Sequence, residues 1–168
     1  MLKVLLRAFV IVVALCGLAA PALARVEIFV DLSRQRMTVR KPDGEALVWK
    51  VSSGHSGFET PTGVFNVQRM DAEHFSDEYE QAPMPYAIFF SRGLAIHGSY
   101  ERGLGRPLSH GCIRLSVQNA RDLYSWVEQY GATISIAGSA DEMVAQDDES
   151  YGRQRRARKQ RVFTVWPP

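Results

Sequence analysis

The sequence predicts a mainly β fold, an antiparallel β-sandwich or barrel, with one principal helix directly after Cys112. Short β-rich segments recur along the chain, turn residues separate them, and only one segment has the apolar period of a long helix. The chain has 168 residues, of which 46% are apolar and 23% charged. This is an ordinary globular composition, and the length suits one domain with a packed core.

Seven segments have the composition of strands. The turn at Pro42-Asp43-Gly44 separates the second from the third, because glycine tolerates the positive φ of a chain reversal. The predicted strands are Val26–Val30, Met37–Arg40, Leu47–Val51, Val64–Val67, Tyr86–Phe90, Leu94–His97 and Thr133–Ile136. The polar segment Asp71–Pro85 is expected to be a long surface loop or lid.

One helix is predicted after Ser116, whose side chain is a suitable N-cap. Apolar side chains recur at the spacing of one helix face, and Gly131 provides a C-terminal stop. The residues on that face are Ala120, Leu123, Tyr124 and Val127.

The two ends of the chain are expected to lie outside the folded domain, residues 25–138. Residues 1–24 have basic residues, an apolar run too short to span a bilayer and then Ala22-Leu23-Ala24, the pattern of a cleaved signal peptide. We therefore expect an exported protein of the periplasm or cell envelope with no membrane span after cleavage. Residues 139–168 hold an acidic block followed by a basic one, which favours a disordered tail.

The charge balance gives no support for a nucleic-acid partner. The formal net charge is +2, and the predicted signal peptide contributes Lys3 and Arg7 without any acid. The rest of the chain is thus neutral overall, which does not fit the electrostatics of nucleic-acid binding.

Cysteine content points to chemistry at one position. Cys16 would leave with the signal peptide, so Cys112 would be the single thiol of the mature chain, and no internal disulfide could form. A lone cysteine is often a small buried hydrophobe. Its position before the predicted helix, however, is expected to lower the pKa of the thiol. His97, at the end of an apolar strand, could supply the base, and N–H groups near Gly111 could bind an oxyanion.

These motifs together resemble the L,D-transpeptidase catalytic domain of the YkuD type. The resemblance covers Val26 to Ile136 and is carried by Thr60-Pro61-Thr62-Gly63, Met84-Pro85-Tyr86, Ile96-His97-Gly98 and Ser109-His110-Gly111-Cys112-Ile113-Arg114-Leu115. It implies the β fold of that family and acyl transfer between peptidoglycan stem peptides, without a cofactor.

The resemblance also implies a reaction. Cys112 would attack a tetrapeptide donor stem, release D-alanine and form a thioester, which a diaminopimelate amine would resolve to a 3→3 cross-link. His97 would move the protons, with the Gly98 carbonyl fixing its tautomer. Backbone N–H groups of His110, Gly111 and Cys112 would bind the oxyanion.

Substrate contacts are implied for Arg114, Ser109 and Tyr86. The guanidinium of Arg114 would fix the pocket or bind a donor-stem carboxylate. Tyr86 would line the donor site, and the side chain of His110 would shape the cleft. His55 and His74 are expected to be loop residues, solvated or shaping a lid.

Several alternatives use the same residues. Hydrolysis of the thioester would make the protein an L,D-carboxypeptidase, and a protein amine would lead to protein attachment to peptidoglycan. A zinc module would need His97, His110 and Cys112, but the sequence has no Cys-x-x-Cys or His-x-x-x-His pair, so no metal is expected. A catalytically silent peptidoglycan-binding module would keep its function in Cys112→Ala.

Overall fold

The computed structural model describes residues 25–79, 81–142 and 153. The predicted signal peptide, residues 1–24, lies outside them, and so does most of the predicted tail. Where that tail begins, the chain is tied to the turn between the first two strands: Ser139 N–H donates to Ser33 Oγ (3.1 Å), and the Ser33 hydroxyl donates to Glu142 Oε2 (2.6 Å).

Nine strands and one main helix make up the described domain. In chain order they are β1 (Val26–Asp31), β2 (Arg36–Arg40), β3 (Ala46–Lys50), β4 (Gly63–Asn66), β5 (Arg69–Phe75), β6 (Pro83–Ser91), β7 (Leu94–Ser99), β8 (Ile113–Ser116), α1 (Val117–Tyr130) and β9 (Ala132–Ala137). All seven predicted strands are present with small shifts at their ends. The mainly β fold with one principal helix is confirmed.

Two sheets divide the strands. The first has the order β3-β2-β1-β9-β4, and the second has the order β5-β6-β7-β8. Neighbouring strands are antiparallel except for β1 with β9 and β7 with β8, which are parallel. Strands β7 and β8 can run parallel because the long connection between them returns the chain to the end of the sheet at which β7 begins.

The hydrophobic core is formed by one face of each sheet and the buried side of α1. Strand alternation supplies it: Val26, Ile28 and Val30 of β1 are fully or almost fully buried, while the residues between them face outward. From the second sheet come Ile96 of β7 and Ile113 of β8. The other face of the second sheet is therefore free to carry a site.

Helix α1 begins and ends as its sequence predicts. Ser116 Oγ accepts a hydrogen bond from Asn119 N–H (3.2 Å), and Gly131, at φ 67°, donates its N–H to Val127 O (2.8 Å). The helix buries Ala120, Leu123 and Val127 against the second sheet. Within the described part of the chain, no helix has the length and apolarity needed to cross a bilayer.

The prediction of a long loop over Asp71–Pro85 is wrong for most of that segment. Arg69–Phe75 forms β5, which pairs with β6 through Glu73↔Pro85 and His74↔Met84. Both prolines lie in the part of β6 that comes before its pairing with β7, which begins at Ile88. Strand β5 is at the edge of its sheet with a half-exposed face, so its composition is polar. Of the described residues in that segment, those between Phe75 and Pro83 lie outside the strands.

Candidate active site

A cavity of about 450 Å³ opens on the outer face of the second sheet. Cys112, His97, Ser109, His110 and Arg114 all line it. The structure thus brings together five of the residues that the sequence singled out, although they come from β7, β8 and the segment before β8.

The register of β7 and β8 places Cys112 and His97 on one face. His97 pairs with Arg114 and Ile96 with Ile113. Since side chains alternate along a strand, Ile96 and Ile113 enter the core while His97 and Arg114 face the cavity. Cys112 precedes Ile113 and shares the cavity face, where its Sγ accepts a hydrogen bond from Ala95 N–H (3.5 Å). The thiol and the imidazole therefore line the same cavity, His97 from β7 and Cys112 from the residue directly before β8.

His97 is held in one tautomer. The side chain is buried, and its Nδ1 lies 2.8 Å from the carbonyl oxygen of Gly98. A carbonyl only accepts, so the proton is on Nδ1 and the lone pair of Nε2 is available. Burial lowers the pKa of His97 to about 4, against the opposing effect of the Gly98 hydrogen bond. The imidazole is neutral at pH 7 and is able to accept a proton.

Gly98 lets β7 pack closely against α1. A Cβ at this position would lie 3.0 Å from the Cα of Val117 and 3.2 Å from the carbonyl oxygen of Pro85. A side chain at this position would therefore be crowded by β6 and the first turn of the helix, which favours glycine.

Burial raises the pKa of the Cys112 thiol, and the Ala95 N–H and Arg114 oppose this effect only in part. The expectation of a pKa lowered by the helix N-terminus is wrong. Strand β8 separates Cys112 from Val117, the first residue of α1. Four strand residues span about 13 Å, and the effect of a helix terminus fades within its first turn.

Ser109 organises the turn that carries the thiol. Its buried hydroxyl donates to Cys112 O (2.5 Å) and accepts from Gly111 N–H (3.2 Å). Gly111 has φ 111°, a conformation that favours glycine. Because its N–H is already bonded within the turn, Gly111 is not an oxyanion donor here, contrary to expectation. Among the described residues, the N–H groups of His110 and Cys112 have no hydrogen-bond acceptor, so both are available to bind an oxyanion.

Thr60 supports the same turn from a distant part of the sequence. Its buried Oγ1 accepts from Gly54 N–H (2.9 Å) and donates to Gly111 O (2.8 Å). The two chain segments are so close that a Cβ on Gly54 would lie 1.9 Å from Phe58 O and 3.0 Å from Gly111 Cα. The Thr-Pro-Thr-Gly motif is therefore a structural support of the cysteine turn.

Aromatic rings surround the side chain of His110. Tyr79 stacks on it at 4.7 Å between centroids, and Phe58 and His55 meet it edge-on at 4.8 Å and 5.3 Å. The expectation that His110 shapes the cleft agrees with this position on the cavity wall. The sequence did not predict that Tyr79 and Phe58 contact His110. The three residues lie in separate loops that come together only in the folded protein, so no spacing along the sequence indicates the contact.

Arg114 forms an ion pair at one side of the cavity. Its Nη1 lies 2.6 Å from Oε2 of Glu101, a residue of the β7–β8 connection that the sequence reasoning also missed. The positive charge of Arg114 lowers the pKa values of both His97 and Cys112.

The prediction that Tyr86 lines the donor site is wrong. Tyr86 has φ 58° and packs with the core residues Ile88 and Phe90 on the opposite face of β6. Its hydroxyl accepts from Arg121 Nε of α1 (2.9 Å), and its ring meets Tyr124 edge-on at 5.9 Å. Tyr86, Ile88 and Phe90 alternate along β6 on the core face, so Tyr86 supports the helix instead of the cavity.

His74 lies on a strand facing the cavity and is not a loop residue. Its Nδ1 is 3.2 Å from Asp71 Oδ2, and its ring meets Phe89 edge-on at 5.0 Å. His55 does lie in the loop before Thr60, as expected. Within the described ranges, no group of three His, Cys, Asp or Glu side chains is arranged to hold a metal ion.

The family model for the L,D-transpeptidase catalytic domain (YkuD) matches residues 25–144. The chain belongs to this family. Among solved structures it is similar to an L,D-transpeptidase of Stackebrandtia nassauensis, at 25% identity and a TM-score of 0.62, covering 70% of this chain and 58% of that one. An L,D-transpeptidase from Mycobacterium smegmatis gives 26% identity and a TM-score of 0.61, with 68% and 59% covered.

An L,D-transpeptidase from Mycobacterium tuberculosis H37Rv gives 25% identity and a TM-score of 0.62, covering 67% of this chain and 57% of that one. The chain thus spans less than two thirds of the length of these structures. No curated protein matches the chain.

Proposed function

We propose that the protein is a peptidoglycan L,D-transpeptidase in which Cys112 is the nucleophile and His97 is the base. The observation that supports this most strongly is the placement of both side chains on one face of the β7–β8 pair, within one cavity, with Nδ1 of His97 held by the Gly98 carbonyl. Membership of the family supports the reaction class.

The pKa directions define how the reaction would start. Cys112 is a thiol and His97 a neutral imidazole at pH 7, because burial disfavours both charged forms. The thiol proton would therefore pass to Nε2 of His97 as sulfur attacks the carbonyl carbon of the donor stem. The developing oxyanion would be bound by the N–H groups of His110 and Cys112.

The tetrahedral intermediate would then collapse to the thioester. The carbon–nitrogen bond to D-alanine breaks, and the leaving amine takes the proton from Nε2. In the second half, an amine of a diaminopimelate side chain would attack the thioester carbon and lose its proton to His97. The thiol is regenerated, and the product is a 3→3 cross-linked dimer.

The place of action we propose is the cell envelope, after export directed by residues 1–24. Peptidoglycan stem peptides would be both donor and acceptor. The cavity, about 450 Å³, lies in the usual range of about 300–1,000 Å³ for ligand sites and has room for part of a stem peptide.

Incubation of residues 25–168 with disaccharide-tetrapeptide, followed by mass spectrometry, tests the proposal. We expect a dimer formed with loss of one alanine, and no such product from Cys112→Ala or His97→Gln. Tripeptide alone would show that water resolves the thioester, making the protein an L,D-carboxypeptidase. Unchanged substrate after incubation with the folded protein would contradict the proposal.

A further inference from the structure

The side-chain carboxylate of Glu101 contacts the guanidinium of Arg114, which lines the same cavity as the thiol of Cys112. The distance from its Oε2 to Arg114 Nη1 is 2.6 Å. The N–H of Glu101 donates to Ser99 Oγ (3.2 Å), which ties this residue to the end of β7. The side chain of Arg114 is 19% exposed and that of Glu101 is 66% exposed, so the carboxylate approaches from the solvent side of the cavity.

Arg114 is well placed to bind an anionic group of a substrate. It lies opposite His97 in the β7–β8 ladder and two positions after Cys112 on the same face. A guanidinium binds a carboxylate through parallel N–H bonds in a fixed geometry. Glu101 already accepts the bond from Nη1, so a substrate carboxylate that binds through Nη1 competes with Glu101 for it.

The ion pair is easy to exchange. One partner is largely in water, where an ion pair contributes little stability because the charges are solvated and screened. Glu78 lines the same cavity, and among the described residues it forms no ion pair with Arg114. The two glutamates share the cavity, and Glu101 is the one that contacts Arg114.

We propose that Glu101 is a built-in competitor for the substrate carboxylate. It occupies Arg114 until a donor stem with a free carboxylate replaces it, and it thereby sets how strongly the cavity selects such stems over amidated ones. The inference rests on the proposed function for its substrate class and adds the residue that controls selectivity.

Binding in the Cys112→Ala background tests this without turnover. Calorimetry is carried out with two disaccharide-tetrapeptides, one with a free diaminopimelate carboxylate and one amidated there. Adding Glu101→Gln should tighten binding of the free carboxylate about two- to fivefold and leave the amidated peptide unchanged. Glu78→Gln, the matched control, removes a negative charge from the same cavity without removing a bond to Arg114, so it should tighten binding of the free carboxylate less than Glu101→Gln does. Equal shifts for both peptides in Glu101→Gln, or weaker binding of both, would overturn the inference.

The outcome is separable from that of the proposed function. If Glu101→Gln gives the selective shift but the wild-type protein releases no alanine, the proposed reaction is wrong and the competitor role stands. If alanine is released and no selective shift occurs, the competitor role alone is wrong. Binding of neither peptide to any variant would contradict both.

Discussion

Replacement of Thr60 by valine should strongly destabilise the turn that carries Cys112. Valine keeps the branched shape of threonine but removes the hydroxyl that accepts from Gly54 N–H and donates to Gly111 O. Thr60 is only 4% exposed, so water cannot replace the lost partner. Two buried backbone groups would be left unsatisfied.

The magnitude follows from these two groups. An unsatisfied buried donor or acceptor costs about 1–3 kcal/mol, so Thr60→Val should lower the free energy of unfolding by about 2–6 kcal/mol. Since a domain of this size is stable by about 5–15 kcal/mol, the loss is readily measured. The turn would also shift, and a displacement of about 1 Å at a nucleophile reduces kcat/KM by about a hundredfold.

Urea denaturation followed by tryptophan fluorescence measures the stability change. Thr62→Val is the matched control, because Thr62 belongs to the same motif and is exposed. We expect the control to change the free energy of unfolding by less than about 0.5 kcal/mol. If Thr60→Val and Thr62→Val have the same effect, the Thr60 hydroxyl does not support the cysteine turn and the reasoning is refuted.

Three further results are expected. The rate of iodoacetamide alkylation of Cys112 should still rise above about pH 8.5, because burial raises the pKa of the thiol, and a plateau near neutral pH would contradict this. The acid limb of kcat/KM should fall at about pH 4, where His97 becomes protonated and cannot accept a proton; an acid limb near pH 6.5 would contradict its burial. Tyr86→Phe should cost about 0.5–1.5 kcal/mol of stability through the lost bond from Arg121, with KM unchanged, and a raised KM would place Tyr86 in the cavity after all.

The sequence allowed most of the fold to be predicted because its elements carry local signals. The alternation Val26, Ile28, Val30 marks β1, and the Ser116 cap with the Gly131 stop marks α1. Strand β5 was missed because a polar edge strand lacks the apolar alternation that predicts a strand. Strand β8 was missed because its four residues lie inside the motif around Cys112.

The candidate site was predictable where its residues adjoin in sequence. The hydrogen bond between His97 and the Gly98 carbonyl was expected and is present, whereas Ser109, expected to contact the substrate, donates its hydroxyl to Cys112 O. Contacts between distant segments were not predictable: the Thr60 hydroxyl reaches a carbonyl 51 positions away. The orientation of a side chain also depends on local backbone detail.

Tyr86 and Gly111 illustrate that dependence on the backbone. Tyr86 has a positive φ within a strand, and the Ser109 hydroxyl occupies the Gly111 N–H. Neither feature has a sequence pattern of its own. Both follow from the way the strand and the turn are held by the surrounding fold.

Acylation of Cys112 is the central claim, and intact-protein mass spectrometry after incubation with a carbapenem tests it most directly. We expect one adduct per chain, located on the peptide that contains Cys112 and absent from Cys112→Ala. An adduct that persists in Cys112→Ala, or wild-type protein that stays unmodified, would contradict the claim.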